Sequence, residues 1–180
     1  MKIVRWMIAA SVAAASAVTW AEVGTSQTQT GMVKEGTAAK STGASSTSTE
    51  YDFGDFSSQT LTTNAWKALE AGEYAAVEAY TKKCISLYEN QAQQQQASLT
   101  DFALKDKAFN YWALNDVGTS YFILGRAQLA QGHVKEAKEA FQTVIEKLSY
   151  AQCWDPKGWF WKVAVGARGR LNKILAETGS

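Results

Sequence analysis

The stretch Asn110–Val163, NYWALNDVGTSYFILGRAQLAQGHVKEAKEAFQTVIEKLSYAQCWDPKGWFWKV, decides the fold. Its first arm places Leu114, Val117, Tyr121, Leu124 and Gln128 at steps of three and four. That spacing is one face of a helix with about 3.6 residues per turn. Asn110 is the N-cap candidate, and Gly132 stands just past the end, where a left-handed backbone favours glycine. The second arm puts Val134, Ala137, Ala140, Phe141, Val144, Ile145 and Leu148 on one stripe. Lys135, Lys138, Glu139, Gln142, Glu146 and Lys147 fill its wet side. A pair such as Lys135 and Glu139 adds only a few tenths of a kcal/mol. Burying each large apolar side chain contributes roughly 1.5–3 kcal/mol, so the stripe dominates. The turn between the arms is very short, which predicts antiparallel packing.

Residues 124–141, LGRAQLAQGHVKEAKEAF, resemble the tetratricopeptide repeat. Tyr121, Leu124, Gly125, Gly132, Ala137 and Phe141 occupy the positions that carry the family pattern. The pattern has a steric reason: small Gly125 and Ala137 let two helices approach, and large residues fill the space beside them. LEAGEYAAVEAY, residues 69–80, echoes the motif. The turn glycines at 72 and 132 lie 60 apart, whereas tandem repeats of this family recur at about 34 residues. Ala76 and Tyr80 also fall one place early. The first hairpin therefore reads as a degenerate copy, separated from the second by an insertion. The resemblance implies that the first helix of each hairpin lines a concave groove. Carried over by the turn glycines, that face holds Thr119, Phe122 and Arg126 in the second hairpin and Thr62 and Trp66 in the first. Phe122 and Arg126 lie off the Leu114–Val117–Tyr121 stripe and need another partner, which makes them ligand-binding candidates together with Trp66 and Thr119.

Taken in order, the chain opens with basic Lys2 and Arg5, an apolar Ala-rich run from Trp6 to Val18, and small residues at Ala15-Ser16-Ala17 and Thr19-Trp20-Ala21. This predicts a secretory signal peptide over residues 1–21, too short for a stable membrane span. Removing Lys2 and Arg5 leaves 16 basic residues of 18 against 17 acidic ones. A near-neutral chain without a basic stripe argues against nucleic acid as a partner. Residues 22–58 are rich in Ser, Thr, Gly and Gln and read as a flexible linker. Tyr51, Phe53 and Phe56 interrupt it, either docking back onto the domain, serving as a short motif, or floating. The helical domain spans 59–178. A helix is expected over 61–71, with Thr60 as its cap and Gly72 as its end. A second starts near Tyr74 with Val77, Tyr80, Cys84, Leu87 and Tyr88 on one face. ENQAQQQQAS, residues 89–98, either continues that helix or forms a polar low-complexity tract. Leu99, Phe102, Leu104, Phe109 and Trp112 suggest an irregular crossing over the core.

Asp155-Pro156 reads as the start of a final capping helix running to about Ala176, with Asp155 as cap and Pro156 at the first helical position. Trp159 would sit on its apolar side. Trp154 and Trp161 are candidates for a platform presented to a ligand. YAQCWDPKGWFWKV, residues 150–163, resembles the C-terminal end of a family of small exported bacterial repeat proteins, some labelled β-glucanase. Glycoside hydrolysis needs two carboxyls across a sugar, and the Glu-x-Asp-x-x-Glu pattern of jelly-roll glucanases does not occur here. No catalytic residue is assigned. One His, His133, placed in a turn, and two separated Cys make no zinc set, and no cofactor motif is present. Cys84 and Cys153 leave two readings open: a bridge formed after export, or two buried thiols.

The expected fold is all-α: a short tetratricopeptide-repeat-like stack of two helical hairpins plus a C-terminal capping helix. The expected function is that of an exported, periplasmic or secreted, non-enzymatic adaptor binding a protein or peptide in the cell envelope. The alternative is an accessory carbohydrate-binding module in cell-wall or polysaccharide metabolism.

Overall fold

The structure is a computed structural model describing residues 51–179; the expected signal peptide and the linker up to residue 50 lie outside the described residues. Helices α1 (Ser58–Ala71) and α2 (Tyr74–Ala97) form one hairpin, and α3 (Trp112–Ala130) and α4 (Val134–Lys147) form another. A short β-hairpin follows, β1 (Gln152–Asp155) paired antiparallel with β2 (Trp159–Lys162), and then α5 (Val163–Thr178). The described chain is thus mostly helical.

The two helix–helix turns are built alike. Gly72 and Gly132 adopt φ of 74° and 78°. Space is open around both, so backbone conformation rather than crowding selects glycine. In each turn the next N–H reaches back, Glu73 to the Ala68 carbonyl and His133 to the Gln128 carbonyl, both at 2.9 Å. These bonds satisfy carbonyls that the helix end would leave open. His133 is exposed in the turn, as expected, and its Nδ1 meets Gln128 Oε1 at 2.7 Å.

Two helix starts differ from expectation. The cap of α1 is Ser57 rather than Thr60: the Ser57 hydroxyl accepts from the Thr60 N–H at 3.2 Å. Asn110 does not cap α3. A 3₁₀ turn at Ala108–Tyr111 leads into that helix, and the Leu114 N–H donates to Gln95 Oε1 of α2 at 2.8 Å. The glutamine tract explains how this is possible. It continues α2 as helix through Ala97, with Ala92 fully buried. Gln96 Oε1 likewise accepts from the Tyr150 N–H at 3.0 Å. The polar side chains of the tract tie the crossing segment and the hairpin to α2, which the low-complexity reading did not foresee.

Helix α3 is the centre of the molecule. Ala113, Leu114, Val117, Thr119, Ser120, Ile123 and Ala127 are all buried, a ring of directions rather than one stripe. Buried positions pointing in several directions mark a helix with neighbours on most of its sides. Helices α1, α2, α4 and α5 and strand β1 all pack against it. Where α4 meets it, a Cβ on Gly125 would stand 2.7 Å from the Phe141 ring, and Ala137 and Phe141 are fully buried. The small-against-large argument holds at this contact.

The capping helix needs correction. Asp155-Pro156-Lys157-Gly158 is the turn of the β-hairpin, not a helix start. Asp155 Oδ1 accepts from the Lys157 N–H at 2.8 Å and the Asp155 carbonyl from the Gly158 N–H at 2.9 Å. Gly158 has φ 103°. Asp at the first place, Pro at the second and Gly at the fourth suit a type I turn, closed here as a three-residue hairpin loop. Helix α5 begins only at Val163, so Trp159 is no part of it. Trp159 is 47% exposed, with Lys157 Nζ 5.9 Å from its ring centre.

Residues 51–57, expected within the linker, pack on the domain. Tyr51 and Phe53 meet the Tyr80 ring edge-on at 5.9 and 5.8 Å, and the Tyr88 hydroxyl donates to the Phe56 carbonyl at 2.8 Å. Of the three readings for these aromatics, docking is the one observed. Cys84 and Cys153 are free thiols. Cys84 lies on α2 with Thr62 Oγ1 at 3.8 Å, Cys153 lies on β1, and α3 packs against both elements. Of the two, Cys84 is buried and Cys153 half-buried, so the reading as two buried thiols fits Cys84 alone.

Candidate functional site

A cleft of about 560 Å³ opens between α1, α3 and the β-hairpin, floored in part by α2 and by the 3₁₀ turn. Its rings come in three groups. Trp66 projects from α1. Tyr88 of α2 and Trp112 of α3 meet edge-on at 5.4 Å. Phe109 packs with Trp154 at 5.7 Å and with Phe160 at 4.9 Å, and Trp154 with Phe160 at 5.1 Å across the strand pair. Such cross-strand aromatic pairs hold a two-stranded hairpin together.

Polar groups sit among the rings. Asn115 is 7% exposed. Its Nδ2 donates to the Ala108 carbonyl and its Oδ1 accepts from the Gln152 N–H, both at 2.8 Å. One side chain thereby ties the 3₁₀ turn and β1 to α3. Gln152 Nε2 donates to the Ala103 carbonyl at 3.0 Å. Asp116 is the one charged residue lining the cleft. Its Oδ2 accepts from the Ser58 hydroxyl of α1, and among the described residues no ion pair involves it. Burial pushes its carboxyl up to about 6, against the smaller opposing effect of the Ser58 bond. Close enough to feel its charge are the thiols of Cys84 on α2 and Cys153 on β1. Burial raises both thiols, Cys84 to about 11.

An acid whose folded value lies above its ordinary 3.8 binds protons more readily folded than unfolded. Its contribution to stability therefore falls as pH rises from about 4 through 6, and is constant above that. Asp116→Asn keeps the shape and an acceptor for Ser58 but removes the charge. At pH 8 the variant is expected to be more stable, by up to about 3 kcal/mol for a shift of this size. At pH 4 the gain should be near zero. Urea unfolding at the two pH values measures it; an equal effect at both would show that the carboxyl is not held in an ion-disfavouring site.

The groove residues expected from the sequence divide. Thr62 and Trp66 line the cleft. Thr119 and Phe122 do not: Thr119 is 1% and Phe122 6% exposed. Phe122 meets Trp161 at 5.2 Å, Phe141 at 5.9 Å and Trp66 at 6.3 Å. The partner that Phe122 needed is the β-hairpin and its surroundings, which cover this part of α3. Arg126 lies outside the cleft lining, its guanidinium 5.6 Å from the Trp66 ring centre, where it braces that ring. Trp161 packs on Phe122 and is no platform, while Trp154 lines the cleft and is 41% exposed.

Sequence reasoning missed Asp116, Asn115 and Trp112 as cleft residues. The available signal was Asp116 itself, the sole acid in the long apolar helix Trp112–Ala130; a carboxylate in such a setting is seldom placed there for packing. No group of His, Cys, Asp and Glu fit to hold a metal occurs among the described residues, and no helix among them is long and apolar enough to cross a membrane. No family model, curated protein or solved structure matches the chain.

Proposed function

We propose that this chain is an exported, non-enzymatic binding module of tetratricopeptide-repeat type that holds a protein or peptide segment of the cell envelope in the α1–α3–hairpin cleft. The observation that carries the reading is the cleft itself: a concavity lined by the first helix of each hairpin and walled by aromatic rings. The groove of such repeats lies on those helices, and aromatic anchors dominate peptide recognition. Support for export comes from the basic and apolar N-terminal residues. One carboxylate lines the cleft, and a two-carboxyl glycosidase needs a pair, which supports a binding role over hydrolysis.

A second reading, an accessory carbohydrate-binding module, draws on the half-exposed Trp154 at the cleft. Sugar recognition also asks for hydrogen-bonding groups aimed at hydroxyls; the Asn115 and Gln152 amides are engaged within the fold, which leaves Gln59 and Thr63 at the rim of the cleft. That favours the peptide reading.

The test uses the chain without residues 1–21 as bait in envelope extract, beside insoluble cell-wall polysaccharide. A protein retained by the wild type is expected to be lost at least tenfold with Trp66→Leu and Trp154→Ala together, both variants folded by circular dichroism. Retention of polysaccharide with the same loss would move the function to the second reading.

A further inference from the structure

We infer that the cleft receives an alkylammonium group, as carried by a lysine side chain of the peptide partner, with its charge on Asp116 and its methylenes against the surrounding rings. The inference rests on the peptide-binding reading above and names the chemistry of the contact.

Four features of the site converge on it. The cleft residues include six aromatics, Trp66, Tyr88, Phe109, Trp112, Trp154 and Phe160, and no Lys, Arg or His. Ring faces attract cations, most strongly where water is excluded. The single charge in the lining is a carboxylate with no ion-pair partner among the described residues. An unpaired buried charge is costly to keep, and an arriving cation would relieve that cost. Ser58 occupies Oδ2 of that carboxylate, and no buried side-chain oxygen or nitrogen among the described residues lacks a partner. The other carboxylate oxygen, Oδ1, has no hydrogen bond of its own and so is not fully enclosed, on a residue that lines the cleft. Finally, the neighbouring amides of Asn115 and Gln152 are spent on the scaffold. What the cleft offers is a set of aromatic rings and one negative point among neutral hydroxyls and amides, which matches an apolar stem ending in one positive point.

The pH behaviour follows from the same geometry. An ammonium binds the ionised carboxyl. With the free carboxyl pushed up to about 6 by burial, affinity should fall by about tenfold per pH unit below that value and level off above it. Cys84 and Cys153 are the other titratable groups close to Asp116; burial raises both thiols, so neither ionises in that range.

The experiment titrates the chain without residues 1–21 with Nα-acetyl-lysine N-methylamide and, in parallel, with its uncharged norleucine counterpart. Indole N–H signals are followed by two-dimensional NMR. The lysine probe is expected to move the signals of Trp66, Trp112 and Trp154 and to bind at least tenfold tighter than norleucine. Asp116→Asn should bring lysine down to the norleucine level. That variant is expected to be more stable than the parent at pH 8, so lost binding there is not lost folding. Equal binding of the two probes, lysine binding untouched by Asp116→Asn, or affinity flat from pH 7 to pH 5 would each overturn the inference. A protein partner that needs Trp66 and Trp154 but not Asp116 would keep the peptide reading and remove the ammonium. Cello-oligosaccharide moving the same indoles regardless of Asp116 would remove both.

Discussion

Phe141→Ala is expected to lower stability by about 3–5 kcal/mol, the range for removing a fully buried phenylalanine. The ring is completely enclosed between α3 and α4. It lies over Gly125, and a Cβ there would come within 2.7–3.0 Å of three of its atoms. The glycine has no side chain with which to fill the space once the ring is gone, and Phe122, the ring's neighbour at 5.9 Å, is itself held by Trp161. Collapse is therefore limited, and the cost should sit in the upper part of the range. The same geometry makes a double-mutant cycle informative. Gly125→Ala alone forces its new methyl into the ring, at a cost of about 1–3 kcal/mol. In the Phe141→Ala background the methyl enters empty space and improves helix propensity, so it should be neutral or stabilising. Urea unfolding of the four proteins gives the coupling directly. Simple additivity would mean that Gly125 and Phe141 are not the contact that sets the spacing of the two helices.

That contact was legible in the sequence because its cause is local. A glycine, an alanine and an aromatic at fixed helical offsets state a steric relation between two adjacent segments. The turn glycines were legible for the same reason. What the sequence hid depends on segments that meet only in three dimensions. Phe122 and Arg126 looked like groove residues because nothing near them in sequence explained them; the β-hairpin and Trp66 explain them in space. Asp155-Pro156 was ambiguous for a chemical reason. Both a helix start and a type I turn use a carboxylate that accepts from a nearby N–H and a proline of fixed φ. Gly158 and the short Trp-Phe-Trp-Lys run decide for the turn, since a three-residue loop with a left-handed glycine joins two strands. The glutamine tract hid its role because the partners of Gln95 and Gln96 lie well beyond it, at Leu114 and Tyr150. Thr62, Trp66 and Trp154 of the cleft lining were therefore foreseen, and the rest of the wall arrived with the hairpin, the crossing segment and the polar face of α3.

Asn115→Ala should cost roughly 2–6 kcal/mol, because it strands two buried backbone groups at about 1–3 kcal/mol each. The Ala108 carbonyl and the Gln152 N–H both end on this one amide, at 2.8 Å, and its surroundings are nearly closed to water, with Ala108 fully buried and Gln152 8% exposed. The effect is also expected to be directional. The α3–α4 contact around Phe141 does not depend on Asn115, whereas the β-hairpin and the 3₁₀ turn hang from it. The hairpin seat on α3 is tight: a Cβ on Gly118 would stand 2.5 Å from that of Ala151. A small displacement of β1 therefore cannot be absorbed by sliding toward the helix, and the hairpin must move outward. Hydrogen exchange should accelerate first at Gln152 and along the β1–β2 pair, and tryptophan emission should shift toward that of solvated indole as Trp154 and Trp161 lose their neighbours. Exchange at Val144 and Ile145 in α4 should change only as far as global stability does. If the variant unfolds as one unit, with β1 and α4 amides exchanging at the same free energy and the emission unmoved before that transition, Asn115 contributes to the core generally and is not the clamp that builds the cleft. If the hairpin detaches first, binding should disappear under conditions where the four helices remain folded, because Trp154, Phe160 and Phe109 leave the cleft together.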